Sequence, residues 1–187
     1  MTPEQKAIMQ ADIIAKQQPG QPLEGITNEP LIAAHYNALT ATKGWRTEVP
    51  TKTVRAAITL SSYTPNDAAD GTATFTNRAL VAQNKQINLQ LMLQGLDTID
   101  ASLPQARADL RDAVIKLPTG AAGALVSASG VSGVNVLTAC TRFASVGELV
   151  VATEAQGSDT TGTVTARVFT WQGVFSDQLI SDIILGR

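Results

Sequence analysis

The chain has 187 residues, of which 44% are hydrophobic and 16% are charged, and its formal net charge is −2. This length fits one folded domain with a substantial core. The 14 basic residues are scattered, which argues against binding nucleic acid through clustered lysine and arginine. Cys140 is the only cysteine, which excludes an intrachain disulfide and a cysteine-based metal site, and its apolar surroundings predict a buried structural thiol.

The charged fraction lies well below the roughly 25% that is typical of soluble domains. Small neutral polar residues take its place, and a surface of this kind costs little to desolvate. Such a surface suits a chain that packs against other subunits, although compositional drift in a soluble protein gives the same composition. The N-terminal stretch does not have a basic start followed by an apolar core, so we expect no signal peptide. The sequence has no apolar run of about 20 residues, so we expect no membrane span.

The first third of the sequence predicts three helices. Thr2–Gln5 has the Thr-x-x-Gln pattern of a capping box, with proline at the first helical position. Asn28 opens a second helix, which is predicted to end at Lys43-Gly44. Residues 45–50 predict an extended connector because the residue before proline avoids the helical region. Thr51 is predicted to cap a third helix.

The longest periodic segment runs from Thr72 to Leu93 and predicts one helix. Its apolar stripe is predicted to consist of Phe75, Ala79, Leu80, Ala82, Ile87 and Leu91. Its other face is predicted to consist of Asn77, Gln83, Asn84, Asn88 and Gln94, with Arg78 and Lys85 as the only charges. Amides donate and accept hydrogen bonds without the desolvation cost of a charge. The candidate interface residues on this helix are therefore Asn77, Gln83, Asn84 and Asn88, while a plain solvated helix is the alternative.

Further helices are predicted in the second half of the chain. One starts at Ser102 and ends before Pro118, and another spans 135–143. The small residues of 121–133 predict a tightly packed short helix rather than a flexible linker. Ser145–Glu148 is a second capping box.

The pattern changes after Thr153. Residues 157–162 predict a loop, residues 163–171 predict a strand because they are rich in β-branched and aromatic side chains, and Ser176 caps a final helix. The strand has no obvious partner in its own chain, and unpaired edges are a liability. It is expected to pair with a segment such as 45–49 or with a neighbouring subunit. One face of the strand supplies three more candidate interface residues, which are Arg167, Phe169 and Trp171.

The predicted fold class is mainly α, as a helical bundle with one short C-terminal β-strand or hairpin and a terminal helix. The predicted division is a helical core domain at 1–152 and a C-terminal extension of loop, strand and helix at 153–187. The small-residue segment 121–133 shows no coiled-coil or solenoid repeat.

The side chains that carry most chemistry are sparse. His35 is the only histidine, and its place on a helix face between Ile32 and Leu39 predicts a core or interface histidine rather than a base. Asp109 and Asp112 alternate with arginines at helical spacing, which is typical of a salt-bridged face. The glycine-rich phosphate loop and the twelve-residue calcium loop are both missing. We therefore predict no catalytic residue, no cofactor and no metal, and the chain is not expected to be an enzyme.

Several blocks of the sequence together resemble a family of small tailed-bacteriophage proteins of the virion. The blocks are Met1–Gln5, Ala33–Asn37, Trp45–Pro50, Asn77–Leu80, Asn84–Asn88 and Leu117–Ala124. The resemblance covers roughly residues 1–152 and fades in the loop and strand that follow. It implies a component of the head–tail region, foremost an adaptor or connector ring subunit below the portal, and it brings no catalytic residues.

The leading hypothesis is a head-to-tail adaptor that forms a homo-oligomeric ring, of about twelve subunits, between portal and tail proteins. Such a protein would be made in the host bacterial cytoplasm and reside in the virion. It would contact no membrane and no specific nucleic acid sequence, with passive contact to DNA in a channel left open. The alternatives are a capsid decoration or tail-completion protein, and a non-virion assembly chaperone or regulator.

Overall fold

The computed structural model of the chain describes residues 1–58, 63, 71–114, 117–118, 125–126, 133–152, 158–161 and 164–187. Contacts between Cα atoms divide the chain into two compact units. The first unit comprises Met1–Gly44, Phe143–Ser158 and Arg167–Arg187, and the second comprises Trp45–Arg142 and Asp159–Ala166.

The described residues form eight helices and eight strands, which are interspersed along the chain. The helices are α1 (Pro3–Lys16), α2 (Glu29–Asn37), α3 (Thr51–Ala56), α4 (Ala73–Leu93), α5 (Pro104–Val114), α6 (Gly133–Ala139), α7 (Val146–Val151) and α8 (Asp177–Ile184). The strands are β1 (Leu39–Trp45), β2 (Val49–Pro50), β3 (Thr98–Ile99), β4 (Leu117–Pro118), β5 (Leu125–Val126), β6 (Thr141–Ser145), β7 (Ser158–Thr161) and β8 (Val164–Arg167). The prediction of a mainly α helical bundle is therefore wrong, and the fold is mixed α/β.

Helix starts follow local sequence signals. Thr2 and Gln5 form the predicted capping box, in which each side chain accepts a hydrogen bond from the other residue's backbone N–H. The predicted capping box at Ser145 and Glu148 is also confirmed. The predicted cap at Thr51 is wrong: Pro50 occupies the cap position of α3 without a side-chain hydrogen bond, and Thr51 is the first helical residue.

The principal errors of the prediction concern strands. Residues 39–44 were expected to end a helix and 141–143 to belong to one, yet they lie in β1 and β6, and the predicted loop at 157–162 contains β7. These strands form one sheet in the order β6–β1–β8–β7. Sheet pairing imposes extended geometry on residues whose own preference is weak. The strand predicted at 163–171 is shorter, because β8 covers Val164–Arg167. It pairs within its own chain, parallel to β1 with Gly44 opposite Arg167.

The first unit has a core between four helices. Helix α2 packs against α7 and α8, and α1 packs against the same two helices. The core residues are Met9, Ile13, Leu23, Ile32, Ala33, Tyr36, Val151, Phe175, Ile180 and Ile183. The structure thus groups the chain differently from the division at 152/153, because Phe175 and α8 bury apolar side chains among those of α1 and α2.

The second unit packs α4 against α5 and β4, α5 against α6, and α3 against α6 and β2. Strand β2 is antiparallel to β3, and β4 is antiparallel to β5. Most of the small-residue segment 121–133 lies outside the described residues, apart from β5 and the first residue of α6. Cys140 is buried, and this burial raises the pKa of its thiol to about 11, as expected for an unreactive structural cysteine.

Arg107 is a fully buried cation of the second unit. Its Nη1 donates to the carbonyl oxygens of Ala101 and Ser102, at 2.7 Å each. The guanidinium lies over the ring of Trp45, with 4.8 Å from Cζ to the ring centroid. This arginine therefore joins the start of α5 to the end of β1.

Candidate interface

Helix α4 is the longest helix of the described residues, and the sequence defines both of its ends. Thr72 caps it by accepting a hydrogen bond from the Phe75 N–H. Gly95, with φ of +73°, follows the C-terminal cap residue Gln94 and takes a conformation that other residues rarely adopt. The 21 residues between these signals make a helix about 31 Å long.

The inward face of α4 carries both of its charges. Arg78 is 3% exposed and lies over the Phe75 ring, with 5.4 Å from Cζ to the centroid. Lys85 forms an ion pair with Asp112 at 3.3 Å and also donates to the Asp112 carbonyl oxygen. Ala82, Leu89 and Leu93 are buried on the same face. The prediction that Arg78 and Lys85 lie on the outer, amide-rich face is therefore wrong.

The outward face of α4 is uncharged and partly apolar. Leu80, Ile87 and Leu91 are 51%, 43% and 64% exposed. At about 100° per residue these three side chains fall within some 40° of one another, opposite the buried face. Seven further exposed residues surround them, which are Thr76, Asn77, Gln83, Asn84, Asn88, Gln90 and Gln94. We call these ten residues the α4 outer face.

The predicted apolar stripe thus divides into two groups. Ala82 is buried and Phe75 and Ala79 are half-buried, whereas Leu80, Ile87 and Leu91 face outward. The prediction missed these three as interface residues because it placed them in the apolar stripe and named only amide side chains of this helix as interface residues. Their intervals of seven and four residues were the available signal, since this is the spacing of a coiled-coil seam.

The amide residues predicted as interface residues all lie on the α4 outer face. Asn77, Gln83, Asn84 and Asn88 are exposed. A groove of about 240 Å³ runs between α4 and α5 beside this face, lined by Asn88, Leu91, Met92, Asp109, Asp112 and Ala113. The structure therefore brings the four predicted amides together with three exposed side chains of the predicted apolar stripe.

The three C-terminal candidates have other surroundings. Phe169 is buried in the first unit, where its ring lies against Gly44. Trp171 is half-buried and meets the Phe175 ring edge-on, with 4.8 Å between centroids. Arg167 is half-buried in β8, opposite Gly44. These residues contribute to the packing of their own chain.

A small group of titratable side chains lies in the first unit. The Tyr36 hydroxyl donates to Asp12 Oδ2 at 2.7 Å, and Lys16 pairs with the same carboxylate. Burial, hydrogen bonding to Asp12 and the charge of Asp12 raise the pKa of Tyr36 well above its usual value. Burial and, to a smaller extent, Lys16 lower the pKa of His35. Tyr36 belongs to the core, so this group stabilises the α1–α2 contact.

Among the described residues, no group of three or more His, Cys, Asp or Glu side chains is placed to bind a metal ion. Within the same residues, no helix has the length and apolar character that crossing a membrane requires. No family model, curated protein or solved structure matches the chain.

Proposed function

We propose that this chain is a non-enzymatic structural subunit of a tailed-phage particle, and specifically a head-to-tail adaptor protein that assembles between portal and tail. One observation carries the proposal, namely an outward helix face with three exposed apolar side chains and no charge. Exposed apolar side chains that are grouped on one face of a helix are typical of protein–protein contact sites. The sequence resemblance provides the biological setting.

The energetics of the α4 outer face favour subunit contact. Complete burial of a leucine or isoleucine side chain yields about 1.5–3 kcal/mol, so three side chains that are about half exposed yield roughly 3 kcal/mol in total. The surrounding amides lose less hydration than charged groups would on burial. One such face gives a weak contact, because association itself costs several kcal/mol. It suits a subunit that is held in an assembly by several contacts.

Copy number and position within purified particles test the proposal. Quantitative mass spectrometry should find about twelve copies per particle, and an epitope label on the chain should appear at the joint between head and tail. Hundreds of copies spread over the capsid would instead indicate a decoration protein. Absence from mature particles would indicate an assembly chaperone and overturn the proposal.

A complementation experiment tests whether the α4 outer face carries this role. The triple variant Leu80→Gln, Ile87→Gln and Leu91→Gln keeps good helix formers and changes only exposed side chains. We expect it to fold normally but to yield heads without tails. Leu103→Gln is the matched control, because Leu103 is equally exposed in the same unit but lies outside the α4 outer face. Equal tail attachment in both variants would argue against a role of this face.

A further inference from the structure

The α4 outer face has the spacing of a short two-helix seam. Asn77, Leu80, Asn84, Ile87 and Leu91 follow one another at intervals of three, four, three and four residues. These are the a and d positions of a heptad pattern, with asparagine at two a positions. The buried Ala82 and Leu89 then fall at the f position, opposite the seam. This register therefore leaves the seam on the surface and the core of the unit undisturbed.

The charge pattern favours a second copy of the same chain as the partner. The residues that flank the seam are Thr76, Val81, Gln83, Asn88 and Gln90, and none of them is charged. A face that meets its own copy places like residues opposite like residues, so charges on it would repel. The α4 outer face avoids this repulsion, because the two charged residues of the helix, Arg78 and Lys85, lie on the inward face.

The two seam asparagines indicate the orientation of the pair. In a parallel, in-register pair, Asn84 meets Asn84 of the other copy, and each amide both donates and accepts a hydrogen bond. In an antiparallel pair, Asn84 would meet an apolar d-position residue and lose hydrogen bonds to water without replacement. A single asparagine at an a position is known to fix register in this way.

We propose that α4 pairs in parallel with α4 of a second copy of this chain, with Leu80, Ile87 and Leu91 packed across the seam and the asparagines matched. This inference deepens the proposed function and rests on it for its setting in a particle. The contact is isologous and closes at two subunits, so a larger ring would need a second surface that joins such pairs.

A charge-swap experiment on the purified full-length chain tests the pairing. Ile87 is exposed, so Ile87→Glu and Ile87→Lys should both fold, which their circular dichroism melts will show. In sedimentation analysis the unaltered chain should form dimers in a concentration-dependent manner. Each variant alone should associate at least tenfold more weakly because like charges meet at the seam, and an equimolar mixture should recover the dimer.

Leu103 provides the control position for the charge-swap experiment. Leu103→Glu adds an equal charge at an equally exposed apolar position outside the seam and should leave the dimer intact. An unaltered chain that stays monomeric at all concentrations, or a mixture that does not recover the dimer, would overturn the pairing.

Cysteine cross-linking tests the parallel register in a Cys140→Ala background, which removes the only native thiol. Oxidised Ile87→Cys should form a disulfide-linked dimer, whereas Gln86→Cys, which points away from the seam, should not. Equal cross-linking at both positions would refute the register.

Pairing in solution together with absence from particles would refute the proposed function alone, so the two failures are distinguishable.

Discussion

The contact between Gly44 and Phe169 leads to a quantitative prediction for Gly44→Ala. A Cβ atom at position 44 would lie 2.5 Å from Phe169 Cε2 and 2.8 Å from Cδ2, closer than carbon atoms can approach. The aromatic ring is buried, so its own neighbours would have to shift with it. We therefore expect overpacking in the first unit.

The expected magnitude combines two opposing effects. Overpacking of a core costs about 1–3 kcal/mol. Replacing a strand glycine by alanine otherwise gains about 0.5–1 kcal/mol, because glycine loses more backbone freedom on folding. The net loss should be about 0–2.5 kcal/mol, which corresponds to a drop in melting temperature of up to roughly 10 °C for a chain of this size.

Differential scanning calorimetry of four proteins separates the two effects: the unaltered chain, Gly44→Ala, Phe169→Val and the double variant. In the Phe169→Val background the added methyl group meets no ring, so Gly44→Ala should be neutral or stabilising. The coupling energy between the two positions should be about 1–3 kcal/mol. A Gly44→Ala variant that melts higher than the unaltered chain, or a coupling near zero, would refute the packing of Phe169 against β1 within one chain.

Three further predictions concern buried polar groups. The pKa of His35 is lowered from 6.5 in the folded chain, so protonation of His35 destabilises the fold. The free energy of unfolding should therefore be highest above about pH 6.5 and decline as the pH falls through the folded-state pKa. Urea titrations should show a smaller decline for His35→Gln. Burial raises the pKa of Tyr63 from 10.0 to about 12, so the free energy of unfolding should be highest below pH 10 and decline toward pH 12. Tyr63→Phe should remove this decline between pH 10 and pH 12. Arg107→Lys keeps the charge but loses the forked geometry, so the free energy of unfolding should fall by about 1–3 kcal/mol. An unchanged melting temperature in thermal melts would contradict the role of the Nη1 hydrogen bonds.

The features that sequence predicted well are local ones. The predicted helix starts at Thr2, Asn28, Ser145 and Ser176 depend on residues within one helical turn, and the structure confirms a side-chain cap at each of them. A cap requires only that a side chain reach a nearby backbone N–H, so its signal lies within a few residues.

The features that sequence predicted poorly depend on distant parts of the chain. Strand β1 has residues of mixed preference, and its extended form depends on β8, more than 100 residues later. The burial of Arg78 and the exposure of Ile87 depend on which side of α4 meets α5 and β4. Periodicity identifies the stripes of a helix, but it does not tell which stripe faces its own chain and which faces a partner.

The late position of α8 in the sequence has a consequence for synthesis. A ribosome makes residues 45–142, the larger part of the second unit, before it reaches Phe175, Ile180 and Ile183 of the first unit's core. Helices α1 and α2 emerge first but remain without these core partners until translation is nearly finished. We therefore expect a prematurely stopped chain to present an open, protease-sensitive N-terminal region that cellular quality control can recognise.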